Sequence, residues 1–127
     1  MDTTPERQRV APIERFAGNE HVYDLAGTVD QLRNQAGEAT RGHRQVTLFK
    51  HATATMSVFC FDAGGGLAEH QANGFVTIHV LRGQLAVKTA SEDHQLSAGK
   101  ILVMAPGVRH ALKASEPTDM LLIVNMS

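Results

Sequence analysis

From Val46 onward, short apolar segments alternate with turn signals. Val46–Lys50 leads to Thr55–Phe61, and Gly64-Gly65-Gly66 then breaks the chain. Val76–Leu81 follows, and Gly83 separates it from Leu85–Thr89. The charged turn Ser91-Glu92-Asp93 leads to His94–Leu96, and Gly99 precedes Ile101–Met104. Pro106-Gly107 precedes Arg109–Ala114, and Met120–Asn125 closes the pattern. Short strands at this spacing predict an all-β sandwich or barrel rather than βαβ units.

Alternation within the strands assigns faces. Val76, Ile78 and Val80 share one side, with Thr77 and His79 on the other, and His110, Leu112 and Ala114 share a side opposite Ala111 and Lys113. Ile101–Met104 and Met120–Val124 are apolar throughout. Continuous apolar strands predict burial on both faces, the outer one beneath another subunit or the N-terminal arm, and a homodimer is the expectation. One short helix is predicted to begin at Thr28, whose hydroxyl forms a capping box with Gln31. Val29, Leu32 and Ala36 line its apolar face, Gly37 ends it, and Gly37 to Gln45 reads as a polar loop. Residues 1–20 are polar, carry Pro5 and Pro12, and read as a loose arm or an added edge strand; residues 21–127 form a single domain.

Charge narrows the partners. A net charge of -1 over 127 residues implies no broad basic face, so nucleic acid is not expected. The nearest basic cluster, Arg41, His43, Arg44, Lys50 and His51, reads as a solvated loop edge. The longest apolar run near the C-terminus, Met120 to Val124, falls far short of the roughly 20 residues of a membrane helix, so no membrane partner is expected. Cys60 is the one cysteine, which suits a reducing cytoplasm, and Met1 to Arg9 lack the apolar stretch of a secretory signal.

Candidate chemistry then rests on histidine. There is no phosphate-cradling loop followed by Lys, no Gly-x-Ser-x-Gly elbow and no cysteine pair with zinc spacing. There are seven histidines, and imidazole is the commonest transition-metal ligand. His70 follows the glycine turn, and His110 follows Pro106-Gly107. His21, His43, His51 and His94 fall in expected loops or strand ends, where solvated histidine is the default. Cys60, between Phe59 and Phe61, reads either as a small buried hydrophobe or as a ligand-contacting thiol; Asp62 belongs to the turn beyond.

The stretch Gly64-Gly65-Gly66-Leu67-Ala68-Glu69-His70 leading to Val80-Leu81-Arg82-Gly83, and Gly99 through Pro106-Gly107-Val108-Arg109-His110, resemble the two motifs of the cupin superfamily. The resemblance covers about residues 46 to 125 and implies a jelly-roll β-barrel with one short N-terminal helix, in small single-domain bacterial form. It implies a site inside the barrel at His70 and His110, as ligand contacts and as ligands of one divalent metal (iron, manganese, nickel or zinc). Three motif positions depart from the family. The second motif histidine falls on Ala72, the glutamate on Val76 and the asparagine on Ala114. Alternation turns Glu69 and Gln71 away from His70, and it turns His79 outward because Val76 fills the glutamate position.

Three functions follow as expectations. The first is a binding module holding a small molecule, or a weakly held divalent metal, at His70 and His110, with Cys60 as a further contact. The second is a metal-dependent enzyme of the dioxygenase or isomerase type, needing a third ligand. The third is a dimeric structural or regulatory module.

Overall fold

A computed structural model describes residues 19–35, 39 and 41–126. The expected arm over residues 1–20 lies outside the described residues except for Asn19 and Glu20, as do Ala36 and Gly37 at the expected helix end. Among the described residues one helix precedes nine strands: α1 (Leu25–Arg33), β1 (His43–His51), β2 (Ala54–Phe61), β3 (Gly66–His70), β4 (Gly74–Arg82), β5 (Gln84–Thr89), β6 (Asp93–Ser97), β7 (Ile101–Met104), β8 (His110–Ala114) and β9 (Thr118–Met126). They form two sheets with antiparallel pairing, ordered β1-β2-β9-β4-β7 and β3-β8-β5-β6, closing as a jelly roll.

Alternation produces the core. Val76, Ile78 and Val80 point between the sheets, where they meet Phe61, Leu85 and Met120. His110, Leu112 and Ala114 line the same interior from the opposite sheet. The other side of the five-stranded sheet carries a smaller core, in which Leu32 of α1 packs with Val58, Cys60 and Leu121. Burying Leu32 there is worth roughly 2 kcal/mol.

The helix begins three residues before the expected start. Asp24, not Thr28, is its N-cap: the carboxylate accepts from the Gly27 amide at 3.0 Å, and Thr28 Oγ1 donates to the Asp24 carbonyl at 2.8 Å. The earlier start gains Leu25, which joins Val29 and Leu32 on the packed face at i, i+4 and i+7. Asn34 caps the C-terminal end. The expected loop through Gln45 also ends early, because β1 already pairs with β2 from His43.

Arg33, the last residue of α1, clasps the helix to the sheet. Its Nε donates to Asp119 Oδ1 at 2.9 Å, and its Nη2 also donates to the carbonyls of Thr118 and Phe61 at 3.2 and 3.3 Å. Arg82 Nε approaches the other Asp119 oxygen at 3.1 Å. Two guanidiniums thus satisfy one buried carboxylate.

The two continuously apolar strands behave differently. Leu121 of β9 is covered by the α1 core, whereas Ile101 and Val103 of β7 are 56% and 57% exposed. With Phe75 of β4, at 49%, they leave an apolar patch on the part of this face that α1 does not reach.

Replacing Asp119 with Ala leaves Arg33 without its carboxylate, and we expect a stability loss of about 3 kcal/mol. Urea unfolding should show it, with hydrogen-exchange protection of α1 falling before that of β4 and β9.

Candidate functional site

The site begins with an irregularity in β3. Leu67 pairs with Leu112 and His70 with His110. From Leu67 to His70 is three positions and from Leu112 to His110 is two, so β3 carries one extra residue, a bulge. Strict alternation would put Leu67 and His70 on opposite faces. The bulge instead turns both toward the interior, where Leu67 packs on the core and the His70 and His110 rings meet edge to face, centroids 4.2 Å apart.

Glycines allow the close approach. A side chain at Gly66 would collide with the Leu112 carbonyl. Gly107, at φ +85°, turns the chain before His110, and its amide donates to the Ala72 carbonyl at 2.9 Å. That bond ties the turn before His110 to the segment after His70.

Both imidazoles are oriented by one local device. His70 Nδ1 lies 2.8 Å from the Ala68 carbonyl and His110 Nδ1 lies 3.0 Å from the Val108 carbonyl. A carbonyl only accepts, so each Nδ1 carries the proton and each neutral ring offers a lone pair at Nε2. His110 is buried at 2% exposure, while His70 stands exposed at the barrel end. Burial, joined by the neighbouring His70, lowers the His110 pKa despite the opposing bond to Val108.

Glu69 and Gln71 turn the other way, as alternation requires. Both contact Arg109, Glu69 at 3.2 Å and Gln71 at 3.4 Å, and Arg109 lies in the segment just before β8. Ala72 packs on the core beside Val76. Val76 and Ala114, at the other departed motif positions, are buried at 3% and 0% exposure.

Cys60 is not brought to the pair. It shares the α1 side of β2 with Val58, while Phe59 and Phe61 face the interior. Burial and the adjacent Asp119 carboxylate, which accepts the S–H, push its thiol up to about 12. It is therefore a protonated core thiol in contact with the Asp119 clasp, far from nucleophilic character.

The other histidines scatter. His79 lies on the outer face, paired in register with Leu121 and Ile101. His21 lies tilted against Tyr23 with ring centroids 4.6 Å apart, His51 ends β1 exposed, and His94 approaches Glu92 at 4.0 Å. His43 departs from the solvated-loop expectation: its half-buried ring lies 5.6 and 5.7 Å from Phe59 and Phe61, and its Nε2 meets Gln45 at 3.0 Å. Its pairing opposite Phe61 could be found only once β1 was known to start there. The expected basic cluster is drawn out along β1, with Arg44 beside Cys60 at one end and exposed Lys50 and His51 at the other.

The donor set does not fit a complete metal centre. Among the described residues, no group of three or more His, Cys, Asp or Glu side chains is placed to hold an ion. Two imidazoles remain, and the three departed motif positions carry only apolar side chains.

Comparison with known proteins is consistent with this architecture. A family model described as "Cupin domain" matches residues 57–125. A conserved protein of unknown function from Streptococcus pyogenes is 24% identical with a TM-score of 0.70, over 94% of this chain and 98% of its own. A cupin superfamily protein from Desulfitobacterium hafniense is 18% identical with a TM-score of 0.71, over 94% of this chain and 100% of its own. Salicylate 1,2-dioxygenase from Pseudoaminobacter salicylatoxidans is 20% identical with a TM-score of 0.64, over 78% of this chain and 31% of its own. At these identities the likeness is one of fold. The comparison with curated proteins returns no significant match, and no helix among the described residues is long and apolar enough to cross a membrane.

His110 should titrate below the ordinary imidazole value near 6.5. Its folded pKa lies below its unfolded one, so on acidification the unfolded chain takes the proton first. The associated stability is complete above about pH 6.5 and declines below it. Replacing His70 with Ala removes one of the two lowering influences. NMR titration should then show the His110 pKa rising toward the ordinary value.

Proposed function

The chain belongs to the Cupin domain family, and from that premise we propose that it is a binding protein that holds a small organic molecule at the barrel end, against His70 and His110. The observation that carries this reading is the edge-to-face imidazole pair: both Nδ1 atoms are engaged by backbone carbonyls, so both Nε2 atoms are left for a ligand. The apolar surroundings supply a wall, and the imidazoles supply direction.

A divalent metal ranks second as occupant, held weakly by the same two nitrogens. Each missing protein ligand forfeits a bond and the preorganisation that goes with it. Enzyme chemistry of the dioxygenase or isomerase type ranks below binding for the same reason, since Val76 is apolar where the resemblance implies a carboxylate.

We also propose a cytoplasmic homodimer. The lone cysteine is buried as a free thiol, and Phe75, Ile101 and Val103 form an apolar patch on adjacent strands for a second subunit to cover. Light scattering should give close to twice the chain mass; a monomer would remove this part of the proposal.

The central reading is tested with untagged protein. A chemically diverse small-molecule library screened by thermal shift should yield stabilising compounds whose effect is lost in both His70→Ala and His110→Ala. Compounds that stabilise the variants equally well would place binding elsewhere. Elemental analysis should find less than one metal ion per chain. Stoichiometric iron, manganese, nickel or zinc that disappears in His70→Ala would move the enzyme reading ahead of the binding one.

A further inference from the structure

We infer that the ligand of the imidazole pair is a neutral hydrogen-bond donor with an apolar flank, of the vicinal-diol class, and not a carboxylate or phosphate. The inference rests on the proposed binding role of this pair and names the chemistry it selects.

The first observation is the shared tautomer. His70 and His110 each give Nδ1–H to a carbonyl two residues earlier on the same chain, Ala68 at 2.8 Å and Val108 at 3.0 Å. The neutral pair therefore shows a ligand two acceptors and no donor. With ring centroids 4.2 Å apart, one small molecule carrying two adjacent hydroxyls matches the pair in size.

The second observation is the company they keep. Arg109, the nearest cation in sequence, is engaged with Glu69 and Gln71. Leu67, Ala72 and Val108, close to the two histidines in sequence, pack on the apolar core in which Val76 is buried. An anion entering here would shed water and meet lone pairs and hydrocarbon. A neutral diol would satisfy both nitrogens and lay its carbon skeleton on the apolar side chains.

The test compares two probes with the same six-carbon ring, cis-1,2-cyclohexanediol and cyclohexanecarboxylate. Both are titrated into the full-length protein at pH 8, where imidazoles of ordinary basicity are neutral. Side-chain 15N spectra of the free protein should show Nε2 of both histidines as the unprotonated nitrogen. The diol should shift both Nε2 resonances and bind roughly tenfold more tightly than the carboxylate, because only the diol donates to the two nitrogens. In His110→Gln, folded by its amide spectrum, that preference should disappear.

A protonated Nε2 in the free protein at pH 8 would overturn the inference. Carboxylate binding at His70 and His110 as tight as the diol, or tighter, would overturn it too while leaving the proposed binding role standing. Neither probe moving either ring would count against both readings.

Discussion

One extra residue in β3 decides what this barrel offers at its end. Between Leu67 and His70 the strand takes three steps while its partner takes two, and the added step changes the side on which His70 emerges. A regular ladder would have sent that imidazole outward with Ala68 and set Glu69, not His70, opposite His110. The bulge is held in place by Gly66, which lets β3 approach the Leu112 carbonyl, and by the Gly107 amide bound to Ala72. The two rings then need only their own backbone carbonyls to set their orientation.

The five-stranded sheet separates this chemistry from a second, structural centre. Its inner face contributes Phe59, Phe61, Val76, Ile78 and Met120 to the barrel core. Its outer face contributes Val58, Cys60 and Leu121 to the contact with α1, and Asp119 to the clasp with Arg33 and Arg82. Adjacent residues of β2 thus belong to different environments. Cys60 sits one residue from two barrel phenylalanines and still cannot join a ligand site between the sheets. The Asp119 carboxylate that accepts its S–H also keeps the thiol protonated, so the cysteine serves packing.

Much of the architecture was legible in the chain because period-2 alternation survives in the strands that build the core. Val76, Ile78 and Val80, and His110, Leu112 and Ala114, point where their spacing says. The helix boundary was less legible, because Asp24 and Thr28 both carry capping side chains and only the packing of Leu25 on the sheet selects the earlier start. The β7 run was apolar for a reason that local sequence does not state: Ile101 and Val103 lie beyond the reach of α1, whereas Leu121 lies under it. His43 read as loop because its partner Phe61 is distant in sequence, and strand membership at an edge is conferred by that partner.

By itself the sequence determined the all-β class, the strand faces, the apolar character of the three departed motif positions and the two histidines worth following. Each of these depends on residue identity and short-range periodicity, which are properties of the linear chain. Only the tertiary structure decided that His70 and His110 stand 4.2 Å apart, that their free nitrogens are both acceptors, and that Cys60 belongs to another face. Those facts depend on strand register and on which carbonyl lies beside which ring. A single inserted residue reverses a side chain's face without leaving a mark in composition or pattern.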